Sequence, residues 1–337
     1  MQWVFATLGA LVLGLATNAV YDLVKHGAVR RPFVGDRSSL PSAARSYDST
    51  ADGLYPFVTW SRSRQLVPER LETAYVGRLE RRHVLSGDPW DRHVRDFEES
   101  GERGRTAYIS ALEVDTGEHP GAHAFRVTIA ESSYAQCLTT KALLDSGEPV
   151  RGHVLTTVRE GARAFARVAP PTMVSACVAV INSENRLLAL RRSLAVRTYP
   201  AQWTVGINES MKYNDEPGQE EDFFGLVRRG LQEELGLGEG TYGEIRISWL
   251  GWSNISGAYT LVAVVRSNLR STEIDRRREQ CHGVYEHDLA VWLPLTRSHI
   301  GRIVTHGASG PDQAHPWSYL APLVAAEVWR CRGFAYR

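Results

Sequence analysis

An α+β fold with a mixed sheet in the second half of the chain is what this sequence predicts, and three observations carry the prediction. Val174 to Ile181 and Arg186 to Arg192 are short apolar-rich runs joined by the turn cluster Asn182-Ser183-Glu184-Asn185, which reads as a β-hairpin. Gln219 to Leu235 carries Phe223, Val227, Leu231 and Leu235 four apart, one apolar stripe of a helix. Segments of strand and helix character follow one another between Thr106 and Val158.

Taken in order, the chain begins with Trp3 to Val20, eighteen residues without a charge. The minimum for a spanning helix is about 17 to 20 apolar residues, so this run just qualifies. Lys25, Arg30 and Arg31 follow it, which predicts a single-pass transmembrane helix over residues 1–24 with the bulk of the chain cytoplasmic. A cleaved signal peptide is disfavoured because Met1-Gln2 supplies no positive charge. A buried amphipathic helix is disfavoured because polar residues do not recur every third or fourth position. Residues 25–53 have linker composition, rich in Ser, Pro, Asp and Arg.

A smaller α+β domain is expected over 54–168, with a role that its residues do not disclose. Leu71, Tyr75, Val76 and Leu79 predict a helix over Pro68 to His83. Strands are expected at Thr106 to Leu112, His123 to Ile129 and Gly152 to Val158, and a helix at Ser133 to Leu144. Of the histidines in this part, only His119 and His123 have a ligand-like spacing. Pro120-Gly121 between them reads as a turn, so no metal site is inferred. Residues 169–337 hold the predicted mixed sheet. Its further strands are expected at Ile245 to Trp249, Tyr259 to Val265 and Ala290 to Leu295, and a closing helix at Trp317 to Cys331.

Bulk properties narrow the function. A chain of 337 residues suits about two domains. The 39 basic and 38 acidic residues give a formal charge of +1, so no nucleic-acid partner is evident, and protein partners are not readable. Cys137, Cys177, Cys281 and Cys331 are far apart, which reads as reduced thiols in place of a disulfide framework or zinc site.

The chemistry concentrates on the helix of Gln219 to Leu235. It projects adjacent carboxylates, Glu233 and Glu234, beside Arg229, and Gly236 is placed to end it in a left-handed conformation. The run from Glu221, through seven residues, to Arg229-Gly230-Leu231-Gln232-Glu233-Glu234-Leu235-Gly236-Leu237 resembles the Nudix box. With the preceding hairpin, the resemblance covers Thr172 to Leu295. It implies a Nudix-like mixed-sheet α/β/α sandwich in the C-terminal half. It also implies a magnesium ion, with manganese as an alternative, on the diphosphate of a nucleotide-like small molecule. Magnesium prefers hard oxygen ligands, and a metal clamp neutralises diphosphate charge and lowers the pKa of an attacking water. Carried over, Glu233 and Glu234 would bind metal and Glu221 and Arg229 would form a positioning pair. The carbonyl of Gly206 could add a ligand. Glu286, just before the final strand, is a further metal-ligand candidate, with Glu279 in reserve. His282 and His287 read as surface loop residues.

Two departures from that pattern stand out. Gly230 occupies the position where the family has a metal-binding glutamate. The loop before the helix is also longer, with Ser210 to Glu220 inserted after Gly206. Glu209, Asp215, Glu216 and Glu220 are candidates to replace the lost carboxylate. The sequence therefore implies a membrane-anchored Nudix-type hydrolase of a nucleoside-diphosphate-linked compound. A catalytically degenerate nucleotide sensor or effector is the alternative. Arg191-Arg192, Tyr199-Pro200, Trp203 and Glu234-Leu235-Gly236 are also similar to isopentenyl diphosphate isomerases. Those enzymes carry a histidine and a cysteine beside the tryptophan strand, where this chain has Val205-Gly206-Ile207-Asn208-Glu209, so that reading ranks last.

Overall fold

The computed structural model describes residues 53–59, 66, 68–114, 125–196, 199–214, 220–306 and 309–331. The expected anchor at Trp3 to Val20 and the linker up to residue 52 lie outside the described residues. Among the described residues, no helix is long and apolar enough to cross a membrane.

Strand β1 (Leu54–Thr59) is followed by a 3-10 turn (Pro68–Arg70), β2 (Leu71–Arg78), helix α1 (Asp88–Glu99), and strands β3 (Arg105–Val114) and β4 (Phe125–Ser133). Helices α2 (Tyr134–Asp145), α3 (Glu148–Arg159) and α4 (Ala162–Val168) come next. Two segments differ from their expected form. Leu71 to Arg78 is a strand, not a helix, because it pairs in parallel with β4 from Leu71 opposite Phe125 to Arg78 opposite Glu131. Its β-branched and aromatic residues suit that role once a partner strand is present. Gly152 to Val158 is helical, not extended. Val154 and Val158, one turn apart, are both buried, and Pro149 sits in the first turn of α3, where its missing N–H costs nothing.

The second half supplies β5 (Val174–Ile181), β6 (Arg186–Arg192), β7 (Trp203–Val205), β8 (Ile207–Ser210), α5 (Phe223–Leu235), β9 (Arg246–Ser253) and β10 (Ala258–Arg266). It closes with α6 (Ser271–Arg278), β11 (His287–Pro294), α7 (Arg297–His306) and α8 (Ala321–Cys331). The large sheet runs β1-β9-β10-β5-β6-β11, with β7 on β6 and β8 on β5. The β10–β5 pair is parallel and the other pairs are antiparallel, so the sheet is mixed as expected.

Alternation along β5 explains why it reads as one apolar run. Val174, Ala176, Val178 and Val180 join the core that holds Phe223, Val227 and Leu231 of α5. Cys177, Ala179 and Ile181 join a second core with Leu323, Val324 and Val328 of α8. A strand covered on both faces has no polar side to show. The small sheet, ordered β2-β4-β3, shares the α5-side core through Ile109, Phe125, Val127 and Ile129. The ring centroids of Phe125 and Phe223 lie 6.3 Å apart. Residues 54–168 thus contribute β1 to the large sheet and pack against its α5 face.

Candidate active site

The site begins where β7 hands over to β8. Gly206 sits between them with φ +72°, and a Cβ on it would lie 1.9 Å from the carbonyl oxygen of Val178. Only glycine permits that crossing. The crossing lets β7 pair with β6 and β8 pair with β5. The alternation of β8 then sends Asn208 to the α8 side, where it accepts from the Cys177 thiol at 2.9 Å. Ile207 faces the α5 core, and Glu209 follows it on the same side.

Helix α5 starts later than the sequence suggests. Asp222 is its N-cap, accepting from the Gly225 N–H at 2.5 Å. Gly236 ends it at φ +64°, as expected. Between these caps, Phe223, Val227, Leu231 and Leu235 are buried, and so are Gly230 and Glu234.

Arg229 gathers the carboxylates around the base of the site. Its Nε donates to Glu221 Oε1 at 2.6 Å and its Nη2 to Glu221 Oε2 at 3.0 Å, which is the positioning pair implied by the resemblance. Its Nη1 lies 3.1 Å from Glu209 Oε1 and 3.2 Å from Glu233 Oε2. Burial works against the arginine's charge, but the Glu221 hydrogen bonds and the charges of Glu209 and Glu221 outweigh it and raise the pKa. The Lys212 ammonium donates to Glu233 at 3.0 Å, and the Lys212 N–H donates to Glu221. Burial alone would raise the Glu233 pKa, yet Lys212 and Arg229 hold it below the usual value. Tyr75 of β2 donates to the Glu221 carbonyl, so the small sheet buttresses this network.

Glu234 is different. Its side chain is only 4% exposed, and neither carboxylate oxygen has a hydrogen-bond partner. Burial drives its pKa well above 4.5, and the charges of Glu209 and Glu286 add to that. His287 Nδ1 lies 3.5 Å from Glu234 Oε2. Burial, with Arg192 and Arg278, lowers the His287 pKa to about 3, so the imidazole is neutral and offers no counter-charge. His287 is thus buried at the start of β11, not a surface loop residue as its sequence neighbourhood suggests.

These groups line one cleft of about 500 Å³, with Glu209, Glu233, Glu234 and Glu286 on its wall and Cys281 and His282 beside them. Glu286 lies 3.4 Å from Arg192 Nη2; burial still raises its pKa. Glu221 stays behind Arg229, outside the cleft wall. Gly206 is also off the wall, and its carbonyl accepts from the Thr204 hydroxyl at 3.0 Å. Glu279 and Glu220 do not line the cleft, and Asp215 and Glu216 lie outside the described residues. Lys212 completes the site without any motif to announce it, and Arg192, at the end of β6, is singled out in the sequence only by the similarity to the isomerases.

Among the described residues, no group of three or more His, Cys, Asp or Glu side chains is drawn together as a formed metal cage. The donors nevertheless fit a hard divalent cation. They are carboxylates, and the buried Glu234 pair of oxygens is unclaimed.

No protein-family model matches the chain, and no curated protein matches it. Several solved structures are similar to parts of it. DR0079 from Deinococcus radiodurans has 17% identity and a TM-score of 0.32, covering 45% of this chain and 81% of that one. The MutT Nudix hydrolase from Burkholderia pseudomallei has 18% identity and a TM-score of 0.28, covering 46% of this chain and 97% of that one. The Nudix domain of Shewanella oneidensis NrtR, complexed with ADP ribose, has 9% identity and a TM-score of 0.28, covering 47% and 86%. Nudix proteins are named among these structures.

Proposed function

We propose that this protein is a divalent-cation-dependent hydrolase of a diphosphate that links a nucleoside to another group. One observation carries the reading: a buried carboxylate, Glu234, with both oxygens unpartnered on the wall of a cleft that also holds Glu209 and Glu286. Leaving a charge in that state costs several kcal/mol, roughly, unless a cation compensates it. Such expensive arrangements concentrate at functional sites.

Magnesium, or manganese in its place, would be held by Glu234 with neighbouring carboxylates of the cleft, and would supply charge neutralisation on the diphosphate and a more acidic water. The rest of the work falls to the chain. Arg229 holds Glu221, Glu233 and Glu209 in fixed orientations. Glu286, with a raised pKa and a place on the cleft wall, is suited to take the proton of the attacking water.

A second reading is favoured by a specific observation. Glu233, which the resemblance makes a metal ligand, is engaged by both Lys212 and Arg229. A cleft in that state would bind a nucleotide-like ligand without cleaving it. A screen of nucleoside-diphosphate-linked compounds with magnesium separates the two. Turnover by the wild type that Glu234→Gln abolishes supports the hydrolase, and turnover unaffected by that change sinks the site. Saturable binding without turnover favours the sensor.

The proposal includes a single-pass anchor at Trp3 to Val20, which would keep the cleft at a membrane on the cytoplasmic side. Fractionation of the full chain against one lacking residues 1–24 tests it. Equal recovery of both in the soluble fraction would contradict the anchor.

A further inference from the structure

Where the resemblance calls for a carboxylate on α5, this chain has Gly230, and the space a side chain would fill there is already taken. A Cβ on Gly230 would lie 3.0 Å from the Cβ of Glu209, 3.3 Å from its Cγ, and 3.2 Å from Cδ1 of Ile207. Glu209 therefore lies over the glycine, reaching from β8 to the surface of the helix that the missing side chain would have left.

Glu209 is also held in place. Its Oε1 accepts from the Ser210 N–H at 2.8 Å and lies 3.1 Å from Arg229 Nη1. Both contacts fall on one oxygen, so the carboxylate is oriented while its second oxygen is not committed by them. On the same cleft wall stands Glu234, buried, with both oxygens unpartnered.

Charge balance points the same way. Glu209, Glu221, Glu233, Glu234 and Glu286 are five carboxylates. Among the described residues, the cations ion-paired with members of that set are three, Lys212, Arg229 and Arg192. With every carboxylate ionised, the deficit is the charge of one divalent cation.

Resting on the hydrolase reading, we propose that Glu209 has taken over from the carboxylate absent at Gly230, so that a divalent cation is held between Glu209 on the strand and Glu234 on the helix. Gly230 is then not a lesion in the site. It is the small residue that admits Glu209, and the ligand has moved from one packed element to its neighbour.

The test is titration of the full-length chain with Mn²⁺ alone, followed by calorimetry, with thermal melts to show that each variant is folded. Glu209→Gln keeps the shape and removes the charge; it should weaken Mn²⁺ binding by about tenfold or more. Glu209→Asp, which withdraws the carboxylate by one methylene, should fall between wild type and Glu209→Gln. Returning the carboxylate to the helix in the double variant Glu209→Gly with Gly230→Glu, which removes the Cβ that would lie 3.0 Å away, should restore much of the affinity. Wild-type Mn²⁺ affinity in Glu209→Gln, alongside loss in Glu234→Gln, would overturn the role of Glu209 and leave the hydrolase reading standing. Absence of Mn²⁺ binding by the wild type would bring down both.

Discussion

Glu234 and Glu233 are neighbours in sequence, yet their surroundings push them in opposite directions. Helix geometry places successive side chains about 100° apart, so one turns inward and the other stays at the rim. Glu234 has its pKa raised by burial and by Glu209 and Glu286. Glu233 has burial offset by Lys212 and Arg229, which lower it. The consequence for stability differs in sign. The raised Glu234 contributes stability below its unfolded value of 4.5, and that contribution is lost as pH rises through its folded pKa. The lowered Glu233 contributes above 4.5 and loses its contribution as pH falls through its folded pKa. In metal-free buffer, Glu234→Gln should therefore gain melting temperature over wild type as pH rises above 4.5 toward the raised folded pKa. Parallel melting profiles for the two proteins across that range would show that Glu234 carries no such penalty.

At the scale of elements, the two sheets meet in one core, with Phe125 of β4 against Phe223 of α5. The Ala107 N–H also donates to the Met211 carbonyl at 3.3 Å, tying β3 to the segment after β8. Phe125→Ala should cost about 3–5 kcal/mol, and both sheets should lose stability together in a single transition. Calorimetry resolving two transitions, with only one moved by the substitution, would contradict a shared core. Strands β5, β9 and β10 of the large sheet were legible in the sequence because they are buried along nearly their whole length, and the β5–β6 turn is marked at Asn182 to Asn185; β1, half-buried and distant in the chain, carries no such mark. Gly236 was legible from its place at the end of the helical stripe, and the Glu221–Arg229 pair only through the resemblance, since Glu221 precedes the N-cap Asp222 and lies outside the helix. β2 was not, since Leu71, Tyr75 and Val76 satisfy either period and β4 is more than forty residues away in the chain. The place of Glu209 over Gly230 was open among four candidate carboxylates, because it depends on how β8 packs against α5, a contact with no local signature.

At the scale of the whole molecule, strand, helix and turn each bring a carboxylate to the cleft: β8 brings Glu209, α5 brings Glu233 and Glu234, and the turn before β11 brings Glu286. The small sheet supports them from behind through Tyr75 and its bond to the Glu221 carbonyl. An anchor at the N-terminus would fix where this cleft works without altering its chemistry. The central claim is that the cleft hydrolyses a diphosphate with a divalent cation held by Glu234. Its most direct measurement is the rate of nucleotide release from a nucleoside-diphosphate-linked compound, titrated with magnesium, for wild type and Glu234→Gln in parallel. The account expects a rate that saturates with magnesium in the wild type and falls by about a hundredfold or more in the variant. A rate that ignores magnesium, or that survives the substitution intact, would contradict it.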